Sequence, residues 1–302
     1  MNAWRRLQDE AWSLVPRLHS ERLLASFVLA SLPAVLIAVV QAEAEGAGQA
    51  FVIGLLQNAG VALLTAALWE RLFASVRGRA PDSGWIATAW FYALLLPPAL
   101  PIAYVAAGMS FGAVFGMHVF GGTGRYVASP AVLGALFLEF AYPSLGGGAL
   151  SAAGQALSPA GVSPQSWGFL IACFAGAAFL IGVGAASWRT LTGAVLGLVL
   201  ATSPAMADGD LLAPVVHAAG GSYAICWAFI VTDPSTQSLS RAGRFLHGAT
   251  FSLLVVLIRE ADPQHPDGVL TAVLLAGLLV PLFDAIAAEI RCRRRGSTLE
   301  LR

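Results

Sequence analysis

Ten apolar stretches joined by short polar or glycine- and proline-rich connections leave this chain few folds to choose from. They cover residues 23–42, 51–75, 85–96, 102–117, 131–142, 167–184, 191–201, 211–231, 245–258 and 268–290. The longer ones reach the roughly 20 residues that a helix needs to cross the hydrocarbon core of a bilayer. Only 11% of the residues are charged, against about 25% in an average soluble domain. This predicts an all-α integral membrane domain over residues 23–290 and no sizeable soluble one. Zero formal net charge gives no electrostatic footprint for nucleic acid.

Charge in the connections tests the count. Basic residues cluster at the N-terminus, at Arg71, Arg77 and Arg79, at Arg125, at Arg189, at Arg241 and Arg244, and at Arg291, Arg293, Arg294 and Arg295. The connections at 43–50, 144–166 and 204–210 carry no Lys or Arg. Basic and non-basic connections therefore alternate, which places both termini in the cytoplasm. Arg259 is the one exception. Eight spans with two re-entrant pairs fit the charges nearly as well. Residues 1–22 carry charges of both signs and no small-residue cleavage site. They read as a cytoplasmic amphipathic arm or a solvated tail, not a signal peptide. Residues 291–302 form a basic cytoplasmic tail.

The stretch 109–143 is the most telling. Two apolar halves flank a break, Gly121-Gly122-Thr123-Gly124, followed by Arg125, Tyr126 and Pro130. Bare backbone at membrane depth is stable only when buried in protein or lining a cavity, and such breaks build binding sites in transporters. Glycines without side chains also let a phosphate or ring approach backbone N–H groups. Phe120, Gly121, Gly122, Thr123, Gly124 and Arg125 are thus candidate contacts for a phosphate or a ring. The alternative is a loop whose glycines only permit close helix packing. No Gly-Lys-Ser/Thr follows, so this is not a nucleotide P-loop.

A short internal match supports two halves, about 23–143 and 167–290. Ala106-Ala107-Gly108-Met109-Ser110-Phe111 is similar to Ala218-Ala219-Gly220-Gly221-Ser222-Tyr223, and a polar break follows each. Five spans per half would set the halves in inverted orientation, with a site at their interface.

Three acidic residues are candidates for an ion pathway. Glu139 stands in Leu136-Phe137-Leu138-Glu139-Phe140, where a carboxylate is costly unless paired, hydrated or protonated. It reads as an ion or proton ligand, as a residue reaching the membrane edge, or as a contact for a partner subunit. Asp233, before Pro234, suits a helix N-cap or an ion contact. Asp284 suits a pairing with Arg291 or a place in the bundle. The five histidines and three cysteines are scattered, without metal-ligand spacing. No metal site is expected.

These residues resemble the NqrB/RnfD family, integral membrane subunits of the Na+-translocating NADH:quinone oxidoreductase and of the related Rnf complex. The resemblance rests on residues 111–143, on Leu95-Leu96-Pro97-Pro98-Ala99-Leu100-Pro101, on Ala228-Phe229-Ile230-Val231-Thr232-Asp233-Pro234, and on Pro281-Leu282-Phe283-Asp284. It implies ten helices in two inverted halves, similar to urea transporters, with other complex subunits as partners in a bacterial inner membrane. It also implies a covalent FMN on a threonine in the loop after the fifth span.

Here the chain departs from the pattern. Residues 144–166 contain no threonine, and Met117-His118 stands where the family commonly has Lys-Glu. The expectation is therefore a subunit without covalent FMN, with a non-covalent flavin or a quinone as the cofactor class the resemblance leaves. It would be an accessory subunit that supplies a quinone or ion cavity and docks the electron-carrying subunits. The alternative is a flavin-free channel or transporter using the same cavity.

Overall fold

The computed structural model describes residues 17–78, 80–98, 100–124, 126, 128–142, 164–261 and 268–300, and side chains from residue 25 to residue 290 within these, apart from 164–166. Every described regular element is helical. Helices α1 (Arg17–Ala44) and α2 (Gly48–Arg77) are followed by α3 (Trp85–Leu94) and α4 (Ile102–Phe111). The latter runs directly into a π-helical turn, Gly112–His118, and α5 (Pro130–Ala141) completes the first half. In the second half come α6 (Pro164–Val183), α7 (Trp188–Ala201) and the single turn α8 (Ser203–Ala207). Next are α9 (Ala213–Ala219) and α10 (Tyr223–Ile225), the latter continuing as a second π-helical turn, Cys226–Ile230. Helices α11 (Arg241–Ala261) and α12 (Val269–Glu300) close the chain.

Helix thus occupies each of the ten apolar stretches. Four helices are individually long and apolar enough to cross a membrane: Ala25–Ala44, Gly48–Arg77, Arg241–Ala261 and Val269–Ile290. Their outward faces carry bare leucine and valine, such as Leu64 at 74% exposure and Val76 at 77%. A soluble protein rarely presents apolar surface on that scale, so this is a multi-pass membrane protein.

One stretch departs from the continuous span expected over 211–231. It is two pieces, α9 and α10 with its π-helical turn, bent by 83°. The cause is local. Gly220 takes an extended conformation with ψ of 137°, and Gly221 has φ of +61°, a value that strains any residue with a Cβ. The proline-rich stretch is also broken as expected. Helix α3 stops at Leu94, and α2 fills the gap behind it. Asn58 Nδ2 donates to the Pro97 carbonyl at 2.8 Å, and Gln57 Nε2 donates to the Leu100 carbonyl at 3.1 Å.

Small residues set the helix crossings, as expected where lipid supplies no hydrophobic drive between helices. Helix α7 lies against α11 so closely that a Cβ at Gly193, Gly197 or Gly248 would stand 2.3, 2.4 or 2.0 Å from a carbonyl oxygen of the other helix. Helix α6 approaches α1 the same way, through Gly176 and the Ala30 carbonyl. The centre is aromatic. Phe91 of α3 sits between Phe27 of α1, at 6.3 Å and edge-on, and Phe229 of the second π-helical turn, at 6.0 Å and stacked. One core therefore joins the two halves. Cys173 and Cys226 are buried within it and form no disulfide, in keeping with a packing role.

Candidate functional site

The site forms where the breaks that follow the two π-helical turns come together. Both turns end in polar backbone. Tyr126, eight residues past the end of the first, donates its hydroxyl to Asp233 Oδ2 at 3.2 Å, just past the second. Burial and the nearby Asp233 charge push the Tyr126 hydroxyl well above its ordinary value, so it stays protonated and donates. Burial also pushes the Asp233 carboxyl up, while the Ser235 and Tyr126 hydrogen bonds pull it back in part. The loop before α3 closes the other side, with Gly84 against the Thr123 side chain.

Asp233 does not cap a helix. Its Oδ1 accepts the Ser235 N–H at 2.9 Å, and its carbonyl accepts the Thr236 N–H at 3.1 Å, so it shapes a turn. The cap of α11 is Ser240, whose Oγ accepts the Gly243 N–H at 2.9 Å. Thr232 is turned back, with its Oγ1 donating to the Ala228 carbonyl at 2.7 Å.

The glycine break does not present the free N–H cradle that its composition suggests. The Gly122 N–H donates to the Met117 carbonyl at 2.9 Å, and the Gly121 N–H to the His118 carbonyl at 3.1 Å. This pair of bonds closes a helix C-terminus in the Schellman pattern. It needs a positive φ, met by Gly121 at +115°. Two of the donors meant for a phosphate are therefore committed to the helix end. Phe120 is half exposed beside them, and Thr123 Oγ1 lies 3.8 Å from Met117 Sδ. Arg125 lies outside the described residues.

The remaining acidic candidates are not in this cluster. The Asp284 carboxylate is filled by the loop ahead of α11. Ser238 Oγ donates at 2.6 Å and the Leu239 and Ser240 N–H groups at 3.0 Å each. It is a clamp on that loop; the Arg291 side chain lies outside the described residues. Glu139 stands two residues before the end of α5, on its exposed face. The loop 144–163 is likewise outside the described residues.

Three residues carry more than their sequence positions reveal. Glu70 stands in a charged helix end, yet it is 1% exposed and its Oε1 accepts the Asp82 N–H at 3.0 Å. Tyr126 has no neighbour in sequence that marks it as a link between the halves. Arg259, the outlier in the charge alternation, is 6% exposed. Its guanidinium donates to the His217 and Gly220 carbonyls at 2.7 Å each, holding the bend between α9 and α10. Its charge is buried, so it does not count in the charge alternation; that mismatch is the one signal that could have singled it out.

Replacing Tyr126 by phenylalanine removes the bond between the two breaks and keeps the ring. The expected loss is about 1.5–3 kcal/mol, the range for a hydrogen bond to a charged group. Thermal unfolding in lipid nanodiscs reads it, and an unchanged midpoint would mean the bond adds nothing.

Comparison with known proteins places the chain in a family. The model of the NQR2, RnfD, RnfE family matches residues 15–292. Relatives include a Na(+)-translocating NADH-quinone reductase subunit of Stutzerimonas stutzeri, 33% identical over 272 residues, which cover 78% of this chain and 67% of the relative. The protein of the same name from Pseudomonas aeruginosa is 35% identical over 262 residues, 75% of this chain and 65% of the relative. That from Neisseria meningitidis is 34% identical over 266 residues, with the same two shares. The chain spans about two thirds of the length of these curated relatives. Since the family model takes in both broken-helix units and the core that joins them, this chain belongs to the NQR2, RnfD, RnfE family.

Proposed function

We propose that this chain is the membrane subunit of a redox-driven, ion-translocating electron-transfer complex of the Nqr/Rnf kind. It would be built as ten membrane helices in two inverted halves and set in a bacterial inner membrane with both termini cytoplasmic. The observation that carries the reading is the meeting of the two broken-helix units through Tyr126 and Asp233. Both breaks follow π-helical turns that end apolar stretches, and breaks of this kind in membrane helices are where transporters handle ions.

In this reading the electrons travel on cofactors of partner subunits, and this chain supplies the cavity and the docking surface. A flavin or quinone bound there would accept and pass on electrons. The half-exposed Phe120 ring and Thr123 are the contacts proposed for it, since the Gly121 and Gly122 N–H groups are taken. The absence of threonine from residues 144–166 argues against a covalent FMN. Glu139, on the exposed face of α5, is better placed for contact with a neighbouring protein of the complex than for an interior ion path.

The test is to purify the chain from native membranes and run it denatured on an unstained gel under ultraviolet light, with an intact mass. The expected result is a dark band of unmodified mass that co-purifies with flavoprotein and iron–sulfur subunits. A fluorescent band with an FMN-sized adduct overturns the flavin-free reading. A lone chain without redox companions overturns the complex and favours a channel or transporter.

A further inference from the structure

A buried acid–base pair lies beside the glycine break. His118 ends the first π-helical turn, and its Nδ1 stands 3.8 Å from Glu70 Oε2 of α2. His118 is fully buried and Glu70 is 1% exposed. A carboxylate and an imidazole withdrawn from water together are unusual, because each resists carrying charge alone. Together they have a low-cost solution: one proton shared between them, held as an ion pair or as two neutral groups.

The surroundings hold the pair rigidly. The imidazole stacks on Phe73 at 4.6 Å, nearly parallel, and Phe73 carries the Arg77 guanidinium 5.3 Å above its ring. Glu70 Oε1 is fixed by the Asp82 N–H. From α5, Pro130 and Leu133 lie against Gly116 of the first π-helical turn. Among the described residues, Arg77 of α2 reaches the pair through the His118 carbonyl and the Phe73 ring, and Asp82 through its N–H to Glu70.

The pair is also fastened to the break. The His118 carbonyl accepts both the Arg77 guanidinium and the Gly121 N–H. A change of charge on the imidazole acts on the residue whose own backbone closes the helix end.

We propose that Glu70 and His118 form a proton-binding site at the cytoplasmic end of the domain, whose occupancy is coupled to the geometry of the Gly121–Gly122 helix end. The site takes up one proton from water and releases it unchanged, so no oxidant or reductant is required. It is distinct from the Tyr126–Asp233 contact, and it stands whether or not the chain serves a redox complex.

The test uses full-length protein in nanodiscs with 15N-labelled histidine and follows each imidazole by NMR from pH 5 to pH 9. Five histidines are present, and His118→Gln identifies the signal by its loss. The expected result is that this imidazole titrates within the range and binds its proton about tenfold more weakly or worse in Glu70→Gln, the size of effect a close opposite charge has. If His118→Gln does not fold, the signal displaced by Glu70→Gln identifies the ring instead. Backbone amide shifts of Gly121 and Gly122 should follow the same titration curve. An imidazole that does not titrate, or one indifferent to Glu70→Gln, overturns the site. Glycine amides that ignore the titration overturn the coupling.

Discussion

Arg259→Ala is expected to cost the protein about 3 kcal/mol or more of stability. In the wild type, one guanidinium serves the His217 and Gly220 carbonyls at the bend between α9 and α10. The side chain is almost completely buried, so water has little access to take its place. Leaving a buried acceptor without its donor costs about 1–3 kcal/mol, and the alanine variant does this twice. Arg259→Lys should recover only part of the loss, because an ammonium is a point charge without the planar fork that reaches two acceptors at once. Unfolding of the three proteins in nanodiscs gives the order wild type, lysine, alanine. Equal stability of lysine and arginine would mean that the charge matters and the fork does not.

The second large effect is steric. Gly248→Val should prevent α7 and α11 from packing. A Cβ at residue 248 would stand 2.0 Å from the Thr190 carbonyl oxygen and 2.7 Å from the Ala194 nitrogen. Both are backbone atoms that cannot swing away. The helices must separate, and the contacts through Gly193 and Gly197 separate with them. Overpacking a tight core typically costs about 1–3 kcal/mol, and a forced shift of two helix axes falls at or above the top of that range. The comparison is Gly60→Ala on α2, where nothing lies within 4 Å of the added Cβ. There the better helix propensity of alanine should stabilise by about 0.5–1 kcal/mol. Expression and thermal unfolding of the two variants check the contrast. A folded Gly248→Val protein of wild-type stability would show that this crossing tolerates separation.

Much of the architecture was legible from hydropathy and charge, because a bilayer allows a chain so few options. The positions of all ten apolar stretches follow from runs of leucine, alanine and valine. The stop of α3 follows from Pro97 and Pro98. What escaped was the bend in residues 211–231. It depends on the conformations of Gly220 and Gly221 and on a guanidinium from α11, far along the chain. Apolar content alone reads straight through it.

The glycine break was legible as a break, and its bonding was not. Composition marked Gly121 and Gly122 as unusual, and they are, but their N–H groups close a helix rather than await a ligand. Which of these roles a glycine plays depends on whether the preceding carbonyls are free, and that is set by the turn itself. Asp233 and Asp284 stood out as carboxylates in apolar surroundings. Their partners, Tyr126 and the Ser238–Ser240 loop, lie too far away in sequence for spacing to reveal. Glu70 and His118 likewise meet only because α2 and the first π-helical turn pack side by side.

The two π-helical turns give the domain a property that straight helices lack. A π-helical turn closes its hydrogen bonds one residue later than an α-helical turn, so each segment stores surplus chain. An α-helix advances roughly 100° per residue. Tightening either turn back to α geometry would release that slack, swinging Tyr126 or Asp233 about the helix axis by a comparable angle and parting their hydrogen bond. Such a change of register would need no helix to leave the membrane, in the manner of a ratchet with a single tooth.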